Sequence, residues 1–252
     1  MSDTVKSIEK VLSVVECFSF DEMELSISDI QRKTGYPKST IFRLLATLEK
    51  RHYIEQDKES QKYRLGHMFF RLGAIVQEQF DFRKIALTVM RELAVTTNET
   101  ITLNTFDDTK RICIERVDSP ERVRNFVRIG ERNSLCRGAT GKTMLAFLGQ
   151  DEQMRIMDAE AEHIEDRGRL EEELREIRAQ GYGITRGDRI QGSFAVSAPV
   201  FDHTAQLLGS LSIAGPVQRL NEEHERFLIV SVLEASRRIS AKLGYIPASA
   251  AP

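Results

Sequence analysis

Within the first 66 residues the apolar positions keep a helical spacing three times over and then switch to the alternation of a hairpin, a succession few folds can accommodate. Val5, Ile8, Val11, Leu12, Val15 and Phe18 recur at intervals of three and four, which predicts an amphipathic first helix with that face buried. The acidic connection FDEMEL ends it. Ser26, with Asp29 three residues on, has the capping-box interval and opens a short helix, SISDIQRKTG, that Gly35 stops. Pro37 suits a first helical turn, and Ile41, Leu44, Leu45 and Leu48 then share one face of a third helix. YIEQ and KYRLG, on either side of the polar turn DKESQ, predict a hairpin directly after it.

Two short helices joined by a tight Thr-Gly-Tyr turn behind a supporting helix make a helix-turn-helix, whose second member enters a DNA major groove. The hairpin is then a wing. Lys38, Ser39, Thr40, Arg43 and Thr47 lie off the apolar stripe of the third helix. Arg43 has the fork for guanine, Ser39 and Thr40 reach phosphate or base, and Lys38 neutralises phosphate. Lys58, Lys62 and Arg64 on the wing suit the flanking backbone. A polar stripe is by itself an ordinary solvated face, so charge must decide. The total of -2 looks unfavourable to DNA, yet residues 1 to 31 hold two lysines against seven carboxylates and residues 32 to 64 reverse the sign. Motif order and charge reversal together favour a DNA-binding winged helix over a protein-interaction one.

Residues 67–80 carry an apolar stripe through Met68, Leu72, Ile75 and Val76, predicting a linker helix suited either to its copy in another subunit or to its own domain. A helix over FRKIALTVMRELAVTT follows, then alternating strands TITLNTF and KRICIERV, and a further strand RNFVRIG. GKTMLAFL, DEQMRIMD and GRLEEELREIRAQG read as helices. GYGITR, SFAVSAPVFD and LLGSLSIAGP return to strands, and NEEHERFLIVSVLEASRRISAKLG closes as a long amphipathic helix. Helices grouped between strands predict an α+β domain with one central antiparallel sheet over 81–252, behind a winged helix over 1–66.

A chain of 252 residues with 41% hydrophobic and 29% charged residues is long enough for two globular domains. MSDTVKSIEK has no apolar signal core and no apolar run approaches a membrane span, so a cytoplasmic protein without membrane contact is expected. Cys17, Cys113 and Cys136 are odd in number and far apart, the pattern of buried or idle thiols. The five histidines show no ligand spacing; neither metal nor cofactor is expected.

RGATGKT, residues 137–143, resembles a phosphate-binding loop, which needs G-x-x-x-x-G-K-[ST]. Five residues before Gly141 stands Cys136, and Gly138 comes two residues late. The Asp-ended strand VSAPVFD carries Pro199, unlike a buried parallel strand holding a magnesium-binding Asp. A P-loop phosphotransferase with a regulatory DNA-binding head is therefore the weaker alternative, and catalysis is not expected.

Taken together, VKSIEKVLSVVECF, GYPKSTIFRLLATLEKRHYI and KYRLG, with SLCRGATGKTMLAFL, GYGITRGDRIQGSFAVSAPVFD and LLGSLSIAGP, resemble the IclR-type transcriptional regulators over nearly the whole chain. The resemblance implies a GAF-like effector domain binding a small metabolite, a homodimer or homotetramer, and operator DNA, whether to repress or to activate. It implies an effector pocket walled by Gly138, Ala139 and Thr140 in a loop before a helix, and opposite by Asp188, Ser193, Ala195, Ser212 and Ala214. Free N–H groups at a helix start suit an anion without any nucleotide. Strand alternation puts Ser212 and Ala214 on one face. Relatives often carry cysteine at the position of Ala195 and serine at that of Ala214, so this pocket is less polar. Arg137 has the fork for a ligand carboxylate, but an arginine in a loop is more often a surface or structural contact, and Asp188 suits either a ligand hydroxyl or its own turn.

Overall fold

The computed structural model describes residues 5–79 and 81–246 and divides into two units, Met1–Phe80 and Asp81–Pro252. In the first, α1 (Lys6–Val15), α2 (Ile27–Thr34) and α3 (Lys38–Lys50) precede the antiparallel pair β1 (Ile54–Gln56) and β2 (Tyr63–Leu65), and α4 (His67–Gln79) follows. The capping box forms: the Asp29 amide donates to Ser26 Oγ at 3.2 Å and the Ser26 amide to Asp29 Oδ2 at 3.1 Å. Gly35 ends α2 with φ 72, the left-handed cap that lets the chain turn sharply into α3. Val14, Ile30, Ile41, Leu45 and Ile54 are fully buried around this turn, which fixes α2 and α3 as one piece.

The burial of α1 differs from the sequence expectation. Val14 alone within the helix is fully buried, whereas Val5, Ile8 and Leu12 are more than half exposed. The compact head uses mainly the end of α1, with Val11 and Val15 packed against its core, and among the described residues Val5, Ile8 and Leu12 stay exposed. On α4, Phe70, Leu72 and Ile75 are exposed too, Phe70 at 81%; the Val76 side chain lies outside the described residues.

The second unit is built on a six-stranded antiparallel sheet in the order β5-β4-β3-β8-β7-β6: β3 (Thr100–Asp107), β4 (Lys110–Val117), β5 (Arg132–Ser134), β6 (Gly183–Arg186), β7 (Ser193–Phe201) and β8 (Leu207–Pro216). Two helices, α5 (Asp81–Thr97) and α9 (Glu222–Lys242), pack together and on the central strands. Between β5 and β6 come α6 (Gly138–Phe147), α7 (Gln150–Ala159) and α8 (Arg167–Gln180), with α6 laid on β6, β7 and β8. Pairing fixes which residues share a face, because side chains alternate along a strand. Ile101, Leu103, Val196, Ala198, Leu211 and Ile213 form a fully buried apolar face. Thr102, Asn104, Ala195, Ser197, Ser210, Ser212 and Ala214 form the other face, towards α6. Small and hydroxylic side chains there leave space that a row of leucines would fill.

Two sequence expectations fail in this unit. RNFVRIG is not a strand: Thr100 Oγ1 donates to the Asn125 carbonyl at 2.9 Å and Arg116 Nη1 to that of Val127, and backbone pairing with β4 begins only at the Gly130 amide, which donates to the Cys113 carbonyl at 2.7 Å. The short strand β5 follows it instead. Gly138, Ala139 and Thr140 are not a loop before the helix but its first turn, since α6 starts three residues earlier than the apolar pattern indicates. All three cysteines are buried free thiols, and among the described residues no helix is long and apolar enough to cross a membrane.

Candidate functional site

The DNA-facing candidates sit on two elements of the head. Lys38, Ser39 and Arg43 are exposed on α3 and Thr40 is half-buried. Thr47, exposed one turn after Arg43, donates its hydroxyl back to the Arg43 carbonyl at 2.9 Å. Phe42, off the apolar stripe of α3, is 57% exposed beside Arg43 and three residues from Ser39. An aromatic next to Arg43 and outside the Ile41–Leu44–Leu45–Leu48 stripe is the signal that the sequence offers. On the wing, Lys58 and Lys62 are exposed, while Arg64 pairs with Glu55 at 3.1 Å across the β1–β2 ladder. Asp57 Oδ1 accepts from the Ser60 amide at 2.7 Å and its hydroxyl at 2.9 Å, which fixes the turn that carries Lys58.

In the larger unit all eight effector candidates line one cavity: Gly138, Ala139, Thr140, Asp188, Ser193, Ala195, Ser212 and Ala214. The cavity is narrow, about 40 Å3 in volume. A ligand of more than a few heavy atoms therefore enters only as lining side chains yield. Thr140 Oγ1 donates to Ser212 Oγ at 3.0 Å, and Ser212 Oγ donates to the Val196 carbonyl at 3.2 Å, tying α6 to the sheet across the floor. The Ser193 hydroxyl is committed to the Ile190 carbonyl at 2.7 Å, which shapes the loop and leaves only its oxygen lone pairs for a ligand.

The structure gives RGATGKT a mechanical meaning. Gly138 begins α6 at φ +70, a conformation β-carbons disfavour. A Cβ on Gly141 would lie 2.7 Å from the Ser134 carbonyl oxygen and 2.8 Å from that of Leu135, so this glycine lets the helix pack directly on backbone. Two N–H groups of the first turn already have partners: Gly138 donates to Asp188 Oδ2 at 2.9 Å and Ala139 to Thr185 Oγ1 at 3.1 Å. Asp188 is thus a cap for α6, and Lys142 holds it there at 2.9 Å while also pairing with Glu173 at 2.8 Å. Burial alone would raise the Asp188 carboxyl, but the Lys142 ammonium and the Gly138 amide outweigh it and hold the group below its ordinary value. Burial would likewise lower Lys142; its two carboxylates raise it. The sequence reading left Lys142 to the helix alone, whereas it latches the 183–193 segment onto α6.

Other residues line the same cavity without having been expected there: Thr102, Arg111, Asn125, Val127, Thr185 and Arg189. Arg137 lines it too, exposed at the mouth. Three arginines thus face one aspartate, itself neutralised by Lys142.

Models of the IclR helix-turn-helix domain and of the bacterial transcriptional regulator IclR C-terminal domain match residues 7–58 and 74–241. The chain belongs to the IclR family. It is similar to the HTH-type transcriptional regulator KdgR of Escherichia coli, 33% identical over 249 residues that cover 96% of this chain and 94% of KdgR. KipR of Bacillus subtilis is 30% identical over 251 residues, 97% of this chain and 100% of that one. Among solved structures, an IclR-family regulator of Brucella abortus has a TM-score of 0.83 at 26% identity, covering 96% and 94% of the two chains. An IclR homologue of Microbacterium hydrocarbonoxydans, solved with 4-hydroxybenzoate, has a TM-score of 0.79 at 21% identity, covering 94% and 98%. This IclR chain is accordingly a transcriptional regulator, with a helix-turn-helix domain for DNA and a C-terminal domain for a small-molecule effector.

Proposed function

We propose that the chain is a ligand-responsive, sequence-specific regulator whose effector is a small organic acid held between α6, β7 and β8. The observation that carries this reading is the convergence of Gly138, Ala139, Thr140, Asp188, Ser193, Ala195, Ser212 and Ala214 on one cavity where arginines outnumber carboxylates. The 4-hydroxybenzoate bound by the Microbacterium homologue supports an acid as the class of ligand. Lys38, Ser39, Thr40 and Arg43 read the operator, and Lys58, Lys62 and Arg64 follow its backbone. The exposed apolar residues of α1 and α4 support assembly of two or four copies, and a two-fold assembly reads a pseudo-palindromic operator. Binding the acid more tightly in one arrangement of the copies than in another supplies the coupling energy, and no catalytic step is required. Such a protein works in the cytoplasm, beside its operator.

The test is a promoter-fragment shift assay with and without the acid that most raises the melting temperature in a screen of carboxylates. Ser212→Leu puts four carbons into the cavity floor; it abolishes the response and leaves ligand-free DNA binding intact. A normal response in this variant removes the cavity from the effector site.

A further inference from the structure

The half-buried cations Arg83, Lys110, Lys142 and Arg219 of the larger unit come with carboxylates. Arg83 meets Glu115 at 2.8 Å, Arg219 Nε meets Glu99 at 2.7 Å, Lys110 meets Glu160, and Lys142 has two partners. Arg111 breaks this pattern. It is 4% exposed, lies on β4 opposite Phe106 on the α6 side of the sheet, and lines the cavity. Among the described residues its one hydrogen-bond partner is Asn104, whose Oδ1 accepts from Nη1 at 2.9 Å. Four of the five guanidinium N–H groups are left over, and the partner is neutral. Glu131, the nearby carboxylate, already accepts from Arg189 at 3.2 Å, Asn133 at 3.0 Å and the Arg128 amide at 3.2 Å. Burial, with Arg189 adding to it, lowers Arg111 to about 10, so the group keeps its charge at neutral pH. A charge buried without a counter-charge is unfavourable, and a carboxylate accepting two parallel N–H bonds is the group that best relieves it.

From Arg111 a polar row crosses the cavity floor. Asn104 Nδ2 donates to Thr102 Oγ1 at 3.1 Å, Thr102 stands directly opposite Ser212 in the β3–β8 ladder, and Ser212 accepts from Thr140. We propose that Arg111 anchors the carboxylate of the effector, and that the effector is a small acid carrying further hydroxyl or carbonyl oxygens for Thr102, Thr140 and Ser212. This assignment rests on the reading of the cavity as the effector site. It also decides between two possible anion positions. At the start of α6 a ligand has to displace Asp188, which the Gly138 amide and Lys142 both hold. At Arg111 it displaces no protein carboxylate.

The experiment is thermal unfolding of the full chain, wild type and Arg111→Met, Arg111→Lys and Ser212→Leu. Sodium acetate, lactate and benzoate are each compared with acetamide, lactamide and benzamide at tens of millimolar and constant ionic strength. In the wild type at least one acid raises Tm by about 2 °C or more over its amide. Arg111→Met loses that rise, and Arg111→Lys, which keeps charge but not the planar fork, binds the same acid about tenfold more weakly. Without ligand, Arg111→Met melts at or above the wild-type temperature, because an unpaired buried charge is gone; a residue present for structure alone would lower it. The assignment is overturned if no acid exceeds its amide, if the rise survives in Arg111→Met, or if either Arg111 variant fails to fold. A rise that survives in Arg111→Met but not in Ser212→Leu removes only Arg111; one that survives in both removes the cavity reading as well.

Discussion

Lys142→Met isolates the latch that closes one wall of the cavity. The Lys142 side chain is 13% exposed and its ammonium sits between Glu173 and Asp188, whose side chains are 30% and 26% exposed. Breaking a fully buried pair costs about 3–5 kcal/mol and a surface pair about 0–1 kcal/mol. Both carboxylates keep part of their hydration when the ammonium is removed, so the cost here is about 2 kcal/mol, or roughly 4–8 °C in Tm for a domain of this size. Thermal or urea unfolding measures it, and a double-mutant cycle with Asp188→Asn yields a coupling of about 1 kcal/mol or more.

Acid titration adds an independent signature. Asp188 has a folded-state pKa below its ordinary value, so it stabilises above about pH 4 and this stabilisation is lost as pH falls through the folded value. Lys142 has the opposite sign: raised in the fold, it stabilises below about pH 10 and loses this as pH rises through its folded value. In Lys142→Met burial dominates at Asp188 and raises it, so the gap to wild type narrows as pH falls from 7 towards 4. A gap that stays constant over that range, together with zero coupling in the cycle, refutes the latch.

The remaining expectations concern the motif glycine and the head. Gly141→Ala drives a Cβ to 2.7 Å from a backbone oxygen and lowers stability by about 1–2 kcal/mol despite the better helix propensity of alanine; Gly168→Ala on α8, whose nearest neighbour is Asp166 Oδ1 at 3.5 Å, does not lower it. A denaturation midpoint that ranks the two the other way contradicts the close approach at Gly141. Arg43→Ala weakens operator binding by about 1–3 kcal/mol and relaxes base preference, whereas Lys62→Ala weakens specific and scrambled DNA alike and lowers the salt slope by about one. Shift assays across a salt series separate the two, and unchanged binding in both variants contradicts the winged-helix interface.

The fold was legible wherever one physical signal dominated. Ser26 and Asp29 announced α2 because their side chains satisfy backbone donors locally, and Ile41, Leu45 and Leu48 announced α3 because one face is buried by its own head. Sequence failed where burial depends on partners it cannot name. The stripe Val5-Ile8-Leu12 has the spacing of a core face, but period says only that the residues share a side of the helix. RNFVRIG has strand composition, yet side-chain donors from Thr100 and Arg116 take up the Asn125 and Val127 carbonyls. At the cavity, the signature stretches located its walls, while the commitment of Asp188 and Lys142 to each other required the meeting of residues 46 apart.

Arg111 shows why a charged residue within a strand is the hardest kind of site residue to read. In KRICIERV the alternation of Ile112 and Ile114 with polar neighbours looks like one buried and one solvated face, and Arg111 falls on the solvated side. That inference assumes an uncovered sheet. Here α5 and α9 pack on the central strands and α6 covers the small-residue face, so no solvated face remains at the centre. A register shift between Leu103 and Asn104 then divides the acidic and basic residues of β4: Leu103 pairs with Glu115, which meets Arg83 of α5, while Asn104 pairs with Cys113 and brings Arg111 to the α6 side. One bulge thus gives Glu115 a counter-charge and leaves Arg111 without one. The chemistry of the cavity follows from a shift of a single residue in strand pairing, which neither composition nor periodicity encodes.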